Sequence, residues 1–209
     1  MCNLYRMTKS ASEVARLFAT PVDASSNAGG GEVFPGTPGL VVAEGSVKAM
    51  TWGFPLAMKS KRTGQPLKPK PVNNARTDKL ASPFWKHAFT HRRCLIPLEA
   101  FAEARGAKGA KTRTWMSLPG SELFAVAGVW RPSEEWGDCY SMVMTEACVA
   151  MGDIHDRMPV ILSDAQHEAW THGDPDEALA LCGPWEGELT IDHTDQPWAG
   201  GAPRQPDLL

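Results

Sequence analysis

The chain has 209 residues, of which 43% are hydrophobic and 22% are charged, and its formal net charge is −3. These proportions are ordinary for a globular protein and exclude a disordered or fibrous chain. A chain of this length buries roughly 70% of its unfolded surface, so it needs no disulfide or metal to fold.

The amino-terminal part predicts one helix, a loop and two strands. A capping box at Ser10–Glu13 predicts a helix over about 11–19. Residues 20–39 are rich in Pro, Gly, Ser and Asn, so we expect a loop there. Strands are predicted over 40–42 and 47–52, on either side of a turn.

The rest of the chain predicts a long loop and then alternating strands and short helices. Residues 57–73 form a polar, basic segment, and loops of that length in compact domains are commonly functional or disordered. The elements expected beyond it are a helix opening at Ser82–Pro83, strands over 94–96, 112–118, 123–130, 140–145 and 159–162, and helices opening at Ser163 and Asp174, the last closed by Gly183. We therefore expect one α+β domain over 1–195, with mostly antiparallel strands, and a frayed tail over 196–209.

Several site classes and locations are disfavoured. The amino terminus lacks an apolar signal core, and no stretch approaches 18 consecutive apolar residues, so we expect a cytoplasmic protein with no membrane partner. The five cysteines include no Cys-x-x-Cys pair, which argues against a disulfide framework or a zinc ribbon. His87 and His91 have no evident third ligand nearby, so no metal is predicted.

Charge is distributed very unevenly along the chain. Residues 59–113 contain fourteen Lys/Arg and three acids, a balance of +11, whereas residues 114–209 contain three Lys/Arg and seventeen acids, a balance of −14. A basic segment of this density favours a polyanion partner on one face. The alternative is a solvated lysine-rich loop that pairs with the acidic part of the same chain.

Cys2 becomes the first residue when an aminopeptidase removes Met1, which occurs when residue 2 is small. An amino-terminal cysteine carries an amine and a thiol on one carbon. Its α-amine has a pKa of roughly 7.7–8.0, against about 10.4 for lysine, so it is a far better nucleophile at neutral pH. The amine can form a Schiff base with an aldehyde, and the thiol can close a thiazolidine ring on the imine carbon. By position alone, an incidental residue at a frayed terminus is the commoner interpretation of Cys2.

Two further side chains could move protons. His155 lies between Asp153 and Asp156, where neighbouring carboxylates could raise its pKa and make it a general acid. Glu103 follows an apolar strand among small residues, where burial would raise its pKa. Each is also consistent with an ordinary exposed side chain.

The segments around the basic loop carry groups suited to nucleic acid. Arg76 can fork onto a phosphate, and Asn74 can donate to a sugar or carbonyl oxygen, although Asn-Asn is also a turn sequence. Trp52 and Phe54 precede the loop, where aromatic rings beside basic residues suit stacking on unpaired bases. Aromatic residues at strand ends are, however, commonly part of the core.

Taken together, these segments resemble the SRAP-domain family, the SOS response-associated peptidase or abasic-site processing proteins. The likeness covers roughly residues 2–195, and its most specific element is the His-Asp-Arg-Met-Pro run combined with cysteine at position 2. The stretches that carry it are Met1-Cys2, Trp52-Gly53-Phe54, Asn74-Ala75-Arg76, Arg93 to Pro97, Phe101-Ala102-Glu103 and Ile154 to Pro159.

The resemblance implies a fold, a partner and a reaction. It implies a barrel-like core of mostly antiparallel strands with flanking short helices, and a monomer that associates with the nucleoid when bound to DNA. The implied activity is the capture of abasic sites in single-stranded DNA by a thiazolidine cross-link, with no metal or organic cofactor. Lyase and autoproteolytic activities are further implications of the likeness.

The resemblance also implies residue roles. Cys2 would be the nucleophile, Asn74 would hold the opened sugar, Glu103 would position the amine and shuttle its proton, and His155 would protonate the sugar oxygen. The DNA path would be lined by Arg76, Trp52, Phe54 and Arg157. The chain departs from the family pattern at Asn3-Leu4, Asp78, Ala102 and Ala104 and in the loop 34–38, but not at the four chemical positions.

Two other functions stay open from the sequence. One is a cysteine peptidase in which His155 activates Cys2. The other is a non-covalent module that binds single-stranded DNA whether or not a lesion is present, with an affinity that falls as salt rises.

Overall fold

The computed structural model describes residues 2–23, 28 and 30–198. Its four α-helices are α1 Ala11–Leu17, α2 Lys86–His91, α3 His167–His172 and α4 Pro175–Ala180. Its strands are β1 Tyr5–Met7, β2 Gly31–Val33, β3 Pro38–Ala43, β4 Ser46–Trp52, β5 Phe54–Lys59, β6 Pro66–Val72, β7 Asn74–Arg76, β8 Arg93–Leu98, β9 Ala100–Arg105, β10 Thr112–Ser117, β11 Phe124–Ser133, β12 Gly137–Glu146, β13 Arg157–Pro159, β14 Ile161–Leu162 and β15 Thr190–Pro197.

Five strands close into a barrel in the order β12-β4-β3-β8-β11, and β11 pairs with β12 to complete the ring. Only the β12–β4 pairing within this ring is parallel. All six residues of β8 are buried, as are residues 124–130 of β11, because apolar side chains fill the interior. The predicted α+β domain with a barrel-like core of mostly antiparallel strands is confirmed.

A second sheet, in the order β15-β10-β9-β1-β2, carries the amino terminus and Glu103. Tyr5 on β1 lies opposite Phe101 on β9, and the Ala102 N–H donates to the Leu4 carbonyl at 2.9 Å. This register brings the segment before β1 alongside the end of β9, so residues a hundred positions apart in the chain become neighbours.

The basic loop predicted over 57–73 is a two-stranded hairpin, so that expectation is wrong. Strands β5 and β6 pair with each other over Phe54↔Val72 to Lys59↔Pro66. The prolines of β6 argue against a strand in the sequence, because proline is tolerated only where a strand needs no N–H donor. At the base of the hairpin, Gly53 has φ 116° and lies so close to Pro71 that a Cβ there would be only 2.5 Å from it.

The helices are short and mostly start where their caps predict. Ser10 forms the expected capping box with Glu13, and Asp174 accepts from two N–H groups at the start of α4. The helix expected at Ser82 begins only at Lys86, and α4 ends at Ala180 rather than near Gly183. Among the described residues, no helix combines the length and apolar character needed to cross a membrane.

The structure also differs from the predicted boundaries of one loop and of the carboxy-terminal tail. The loop predicted over 20–39 contains β2 and the start of β3. The tail predicted from 196 is still strand at Pro197, and residues 199–209 lie outside the described residues.

Candidate active site

The amino-terminal segment is fixed through the backbone of Cys2. Two neighbouring amides, Asn73 Nδ2 and Asn74 Nδ2, donate to the Cys2 carbonyl at 2.9 and 2.8 Å. Asn73 Nδ2 also lies 3.1 Å from Asn3 Oδ1. A carbonyl that accepts two side-chain donors has a fixed orientation, so the first residues are held against the start of β7.

The Cys2 thiol is fully buried and its Sγ donates to the Leu4 carbonyl at 3.5 Å. Burial raises the pKa of this thiol well above its ordinary value, and the charge of Glu103 raises it further. The resting group is therefore a protonated thiol.

Glu103 occupies the middle of β9, opposite Thr114 of β10, and only 4% of it is exposed. Burial raises the pKa of its carboxyl from 4.5 to about 7, and the Asp156 charge acts in the same direction. A carboxyl with this pKa is present in both protonation states at neutral pH, so it can accept a proton in one step and return it in another.

His155 lies in the loop before β13, beside Asp156. Its Nδ1 accepts from the Arg157 backbone N–H at 3.0 Å and lies 2.9 Å from an Asp156 carboxylate oxygen. Burial lowers the pKa of this imidazole, and the opposing effect of Asp156 is smaller. The raised pKa expected from the sequence is therefore wrong, because desolvation outweighs the neighbouring charge.

Electrostatic effects connect these groups into one site. The Glu103 charge acts on Cys2, and the Asp156 charge acts on Glu103. His155 contacts Asp156 directly. The structure thus brings Cys2, Asn74, Glu103 and His155 to one region, where β1, β7 and β9 meet the loop before β13.

Two arginines around Asp78, Arg76 and Arg157, border this region and are called the cationic cluster. Arg76 forks onto Asp78, with Nε and Nη2 at 2.8 and 2.7 Å from the two carboxylate oxygens. The hydrogen bond from Arg76 is the main cause of the lowered pKa of Asp78, and Arg157 is close enough to contribute. Arg76 is 43% exposed, which leaves its remaining N–H donors accessible.

Trp52 and Phe54 do not present ring faces to solvent, because both side chains are fully buried. Trp52 Nε1 donates to the Asn73 carbonyl at 3.1 Å, and the Arg131 guanidinium covers the Phe54 ring at 4.3 Å. These positions give the two residues a packing role, and neither ring face is exposed for the stacking on bases that the sequence predicts.

Sequence inspection missed Asn73, which joins Trp52, Cys2 and Asn3. The signal was present as the Asn-Asn pair, but that pair is also typical of turns. No group of three or more His, Cys, Asp or Glu residues in the part of the chain that the structure describes is arranged to hold a metal ion.

Comparison with known proteins identifies the family to which the chain is similar. Residues 1–196 match the family described as SOS response associated peptidase (SRAP). Two proteins of Bacillus subtilis (strain 168) are similar: the abasic site processing protein YoqW is 33% identical over 124 residues, and the abasic site processing protein YobE is 32% identical over 127 residues. These matches cover 55% of this chain and 55% and 57% of the relatives, so the chain spans about half the length of the curated relatives it matches.

Solved structures share the fold. A protein from Bacteroides thetaiotaomicron superposes with a TM-score of 0.75 at 18% identity, covering 92% of this chain and 91% of the other. A protein from Bordetella bronchiseptica gives a TM-score of 0.72 at 20% identity, covering 92% of this chain and 99% of the other.

Proposed function

The chain belongs to the SOS response associated peptidase (SRAP) family, and from that membership we propose that it captures abasic sites in single-stranded DNA through Cys2. The relatives named as abasic site processing proteins support the substrate. The observation that carries the proposal is the placement of Cys2, whose carbonyl is held by two amides and whose thiol is near enough to Glu103, a buried carboxyl with a pKa of about 7, for the charge of Glu103 to act on it.

Removal of Met1 frees the Cys2 amine for attack on the aldehyde carbon of the opened sugar. The carbinolamine then loses water to give a Schiff base. The Cys2 thiol adds to the imine carbon and its proton passes to the imine nitrogen, which closes the thiazolidine. One water leaves in the whole sequence, and no oxidant or reductant is consumed.

Glu103 suits the proton transfers of these steps. It takes a proton from the attacking ammonium and returns one to the departing hydroxyl, for which a pKa near neutrality is best. Burial lowers the pKa of His155, so the imidazole is neutral at rest and carries one ring N–H. That N–H can donate to the sugar oxygen while the ring opens.

Asn74 and the cationic cluster can bind the sugar and the flanking phosphates of the substrate. Asn74 Oδ1 is buried and has no hydrogen-bond partner among the described residues, so it can accept from a sugar hydroxyl. Arg76 pairs with Asp78, the charge of Arg157 acts on the same carboxyl, and the free donors of both arginines can contact flanking phosphates.

The buried Cys2 thiol, whose pKa burial raises, fits a first bond made by the amine better than the thiolate attack of a cysteine peptidase. Capture through the amine needs no thiolate for its first bond. Strand cleavage is a compatible side reaction, because a Schiff base at the sugar carbon acidifies the neighbouring proton.

A denaturing gel tests the proposal. Protein with Met1 removed is mixed with a single-stranded oligonucleotide that carries one abasic site, and an undamaged oligonucleotide and Cys2→Ala protein serve as controls. We expect a shifted band that requires both the lesion and Cys2. A shifted band that persists in Cys2→Ala, or no band at all, would overturn the proposal.

A further inference from the structure

The β5–β6 hairpin is the most cationic element of the described chain. Five exposed cations lie on its strands and its turn: Lys59, Lys61, Arg62, Lys68 and Lys70. Residues 54–77 contain no acidic residue. A two-stranded element has little core of its own, so its side chains are available to a partner.

These five cations differ from others near the site because no acidic partner neutralises them. Lys48, Arg76 and Arg113 each pair with a carboxylate. Within the residues that the structure describes, the side chains of the hairpin cations listed above form no ion pair and no hydrogen bond. Their unneutralised charge is complementary to a polyanion rather than to this chain.

The hairpin also carries a cluster of exposed apolar side chains. Leu56, Met58 and Leu67 are 40%, 39% and 51% exposed, and Met58 lies directly opposite Leu67. Cations interleaved with apolar side chains suit a strand of nucleic acid whose bases are unpaired, since the phosphates meet the cations and the bases meet the apolar groups.

The base of the hairpin lies at the candidate active site. Val72, the last residue of β6, directly precedes Asn73 and Asn74, which hold the Cys2 carbonyl. The seven residues of β6 extend roughly 23 Å at about 3.3 Å per residue. At about 3.4 Å per nucleotide of a stacked strand, that length faces roughly six phosphates.

We propose that the β5–β6 hairpin binds the single-stranded DNA that flanks the abasic site, with its cations on phosphates and its apolar cluster on bases. The proposal deepens the proposed function and rests on it for the identity of the partner. It predicts that the hairpin contributes affinity for the flanking strand and leaves the chemistry at Cys2 unchanged.

Two hairpin variants separate the two kinds of contact. One is Lys59→Gln/Lys68→Gln/Lys70→Gln, and the other is Met58→Gln/Leu67→Gln. Their affinity for a fluorescent, undamaged oligonucleotide of roughly twenty nucleotides, longer than a typical binding site, is measured by anisotropy over a salt series. The matched control, Arg16→Gln/Lys86→Gln/Lys108→Gln, removes three exposed cations from other surfaces.

The charge variant should bind at least about ten-fold more weakly and lower the salt slope by about 2, since each lost phosphate contact removes about 0.7. The apolar variant should bind more weakly with an unchanged slope, and the control should match wild type. Capture of a short abasic oligonucleotide with one nucleotide on each side should be the same for all four proteins.

The hairpin proposal is overturned if both hairpin variants bind the long oligonucleotide as wild type does. It is also overturned if they lose capture of the short oligonucleotide as strongly as binding of the long one. Because anisotropy needs no lesion, a wild-type protein that binds but never captures would contradict the proposed function and leave the hairpin result standing.

Discussion

At the scale of single residues, the site depends on one chain of contacts. Trp52 donates to the Asn73 carbonyl, and Asn73 in turn donates to Cys2 and contacts Asn3. A buried aromatic residue thereby holds the backbone of Asn73, whose side chain holds the Cys2 carbonyl. The contribution of Trp52 to the candidate site is indirect, which is consistent with its complete burial.

Replacing Glu103 with Gln tests its role in proton transfer. The variant keeps the size of the side chain but cannot titrate, so the rate of capture should fall by about 10² to 10⁴-fold. The wild-type rate should change with pH near 7, and that inflection should disappear in Glu103→Gln. Single-turnover rates are measured on a denaturing gel from about pH 5.5 to about pH 9, a range that brackets the pKa of Glu103. These rates report both effects. An unchanged inflection would show that another group titrates.

Stability gives a separate test of the same residue. Since burial raises the pKa of Glu103 above its unfolded value, the folded state holds this proton more tightly, and stability falls as pH rises from about 4.5 to about 7. Glu103→Gln should therefore show a shallower loss of stability over that window in denaturant unfolding. A steeper loss would contradict the raised pKa.

The Asn3–Asn73 contact predicts an energetic coupling. Asn73→Ala removes a donor to both Cys2 and Asn3 and should slow capture by about ten-fold or more, which corresponds to one lost hydrogen bond. Asn3→Ala should cost less, and the double variant should lose less than the sum of the two. Single-turnover rates of the wild type, the two single variants and the double variant complete the double-mutant cycle. Strict additivity would show that the two amides act independently.

The candidate site was only partly predictable at this scale. Cys2, Asn74, Glu103 and His155 could be named from their motifs and the family likeness. The lowered pKa of His155 could not be foreseen, because it depends on burial by residues distant in sequence. Asn73 was hidden since only the folded chain brings residue 73 to residue 2.

At the scale of elements, β1 is fixed to the barrel by a buried tyrosine pair. The hydroxyls of Tyr5 on β1 and Tyr140 on β12 form a short hydrogen bond, and both lie against Gly39 on β3. Because β1 follows the Cys2 segment directly, this contact links the barrel to the placement of Cys2.

Gly39→Ala tests that link. A Cβ at this position would collide with both tyrosine hydroxyls, so the pair must separate and leave buried polar groups unsatisfied. We expect a loss of about 2 kcal/mol or more in denaturant unfolding. Gly183→Ala is the matched control, since nothing lies within 4 Å of its added Cβ. Equal stability of the two variants would contradict a close approach at Gly39.

Strands with clear apolar runs were predictable and those without were not. The predicted strands within β3, β4, β8, β11 and β12 are present, since burial of an apolar run decides them locally. Strand β9 holds Glu103 within a small-residue run, β6 holds three prolines, and β15 is largely exposed. Their pairing is decided by partners elsewhere in the chain, which no local pattern contains.

At the scale of the whole molecule, the separation of charge in the sequence has a structural counterpart. The basic segment contains the turn and second strand of the β5–β6 hairpin together with Arg76 and Glu103, so the cations border the candidate site. The acidic part contributes β12, β13 and the His155 loop. Positive charge is therefore concentrated on elements around the candidate site, where under the proposed function it would attract DNA.

The whole-molecule field predicts how salt affects capture. Rising salt should weaken the initial binding of single-stranded DNA, with a slope near −0.7 for each phosphate contacted, and should leave a completed cross-link intact. Capture rates at low DNA concentration measure the first effect, and a high-salt wash before a denaturing gel measures the second. Release of the DNA by salt alone would contradict a covalent product.

The most direct measurement of the central claim is the mass and attachment site of the isolated product. The mature protein is reacted with an abasic oligonucleotide, and the product is weighed intact and then mapped by peptide fragmentation. We predict the sum of the two masses less one water, with the adduct on Cys2 and no free thiol at that residue. An adduct on a lysine, or a Cys2 adduct whose thiol still reacts with an alkylating reagent, would contradict ring closure at the amino-terminal cysteine.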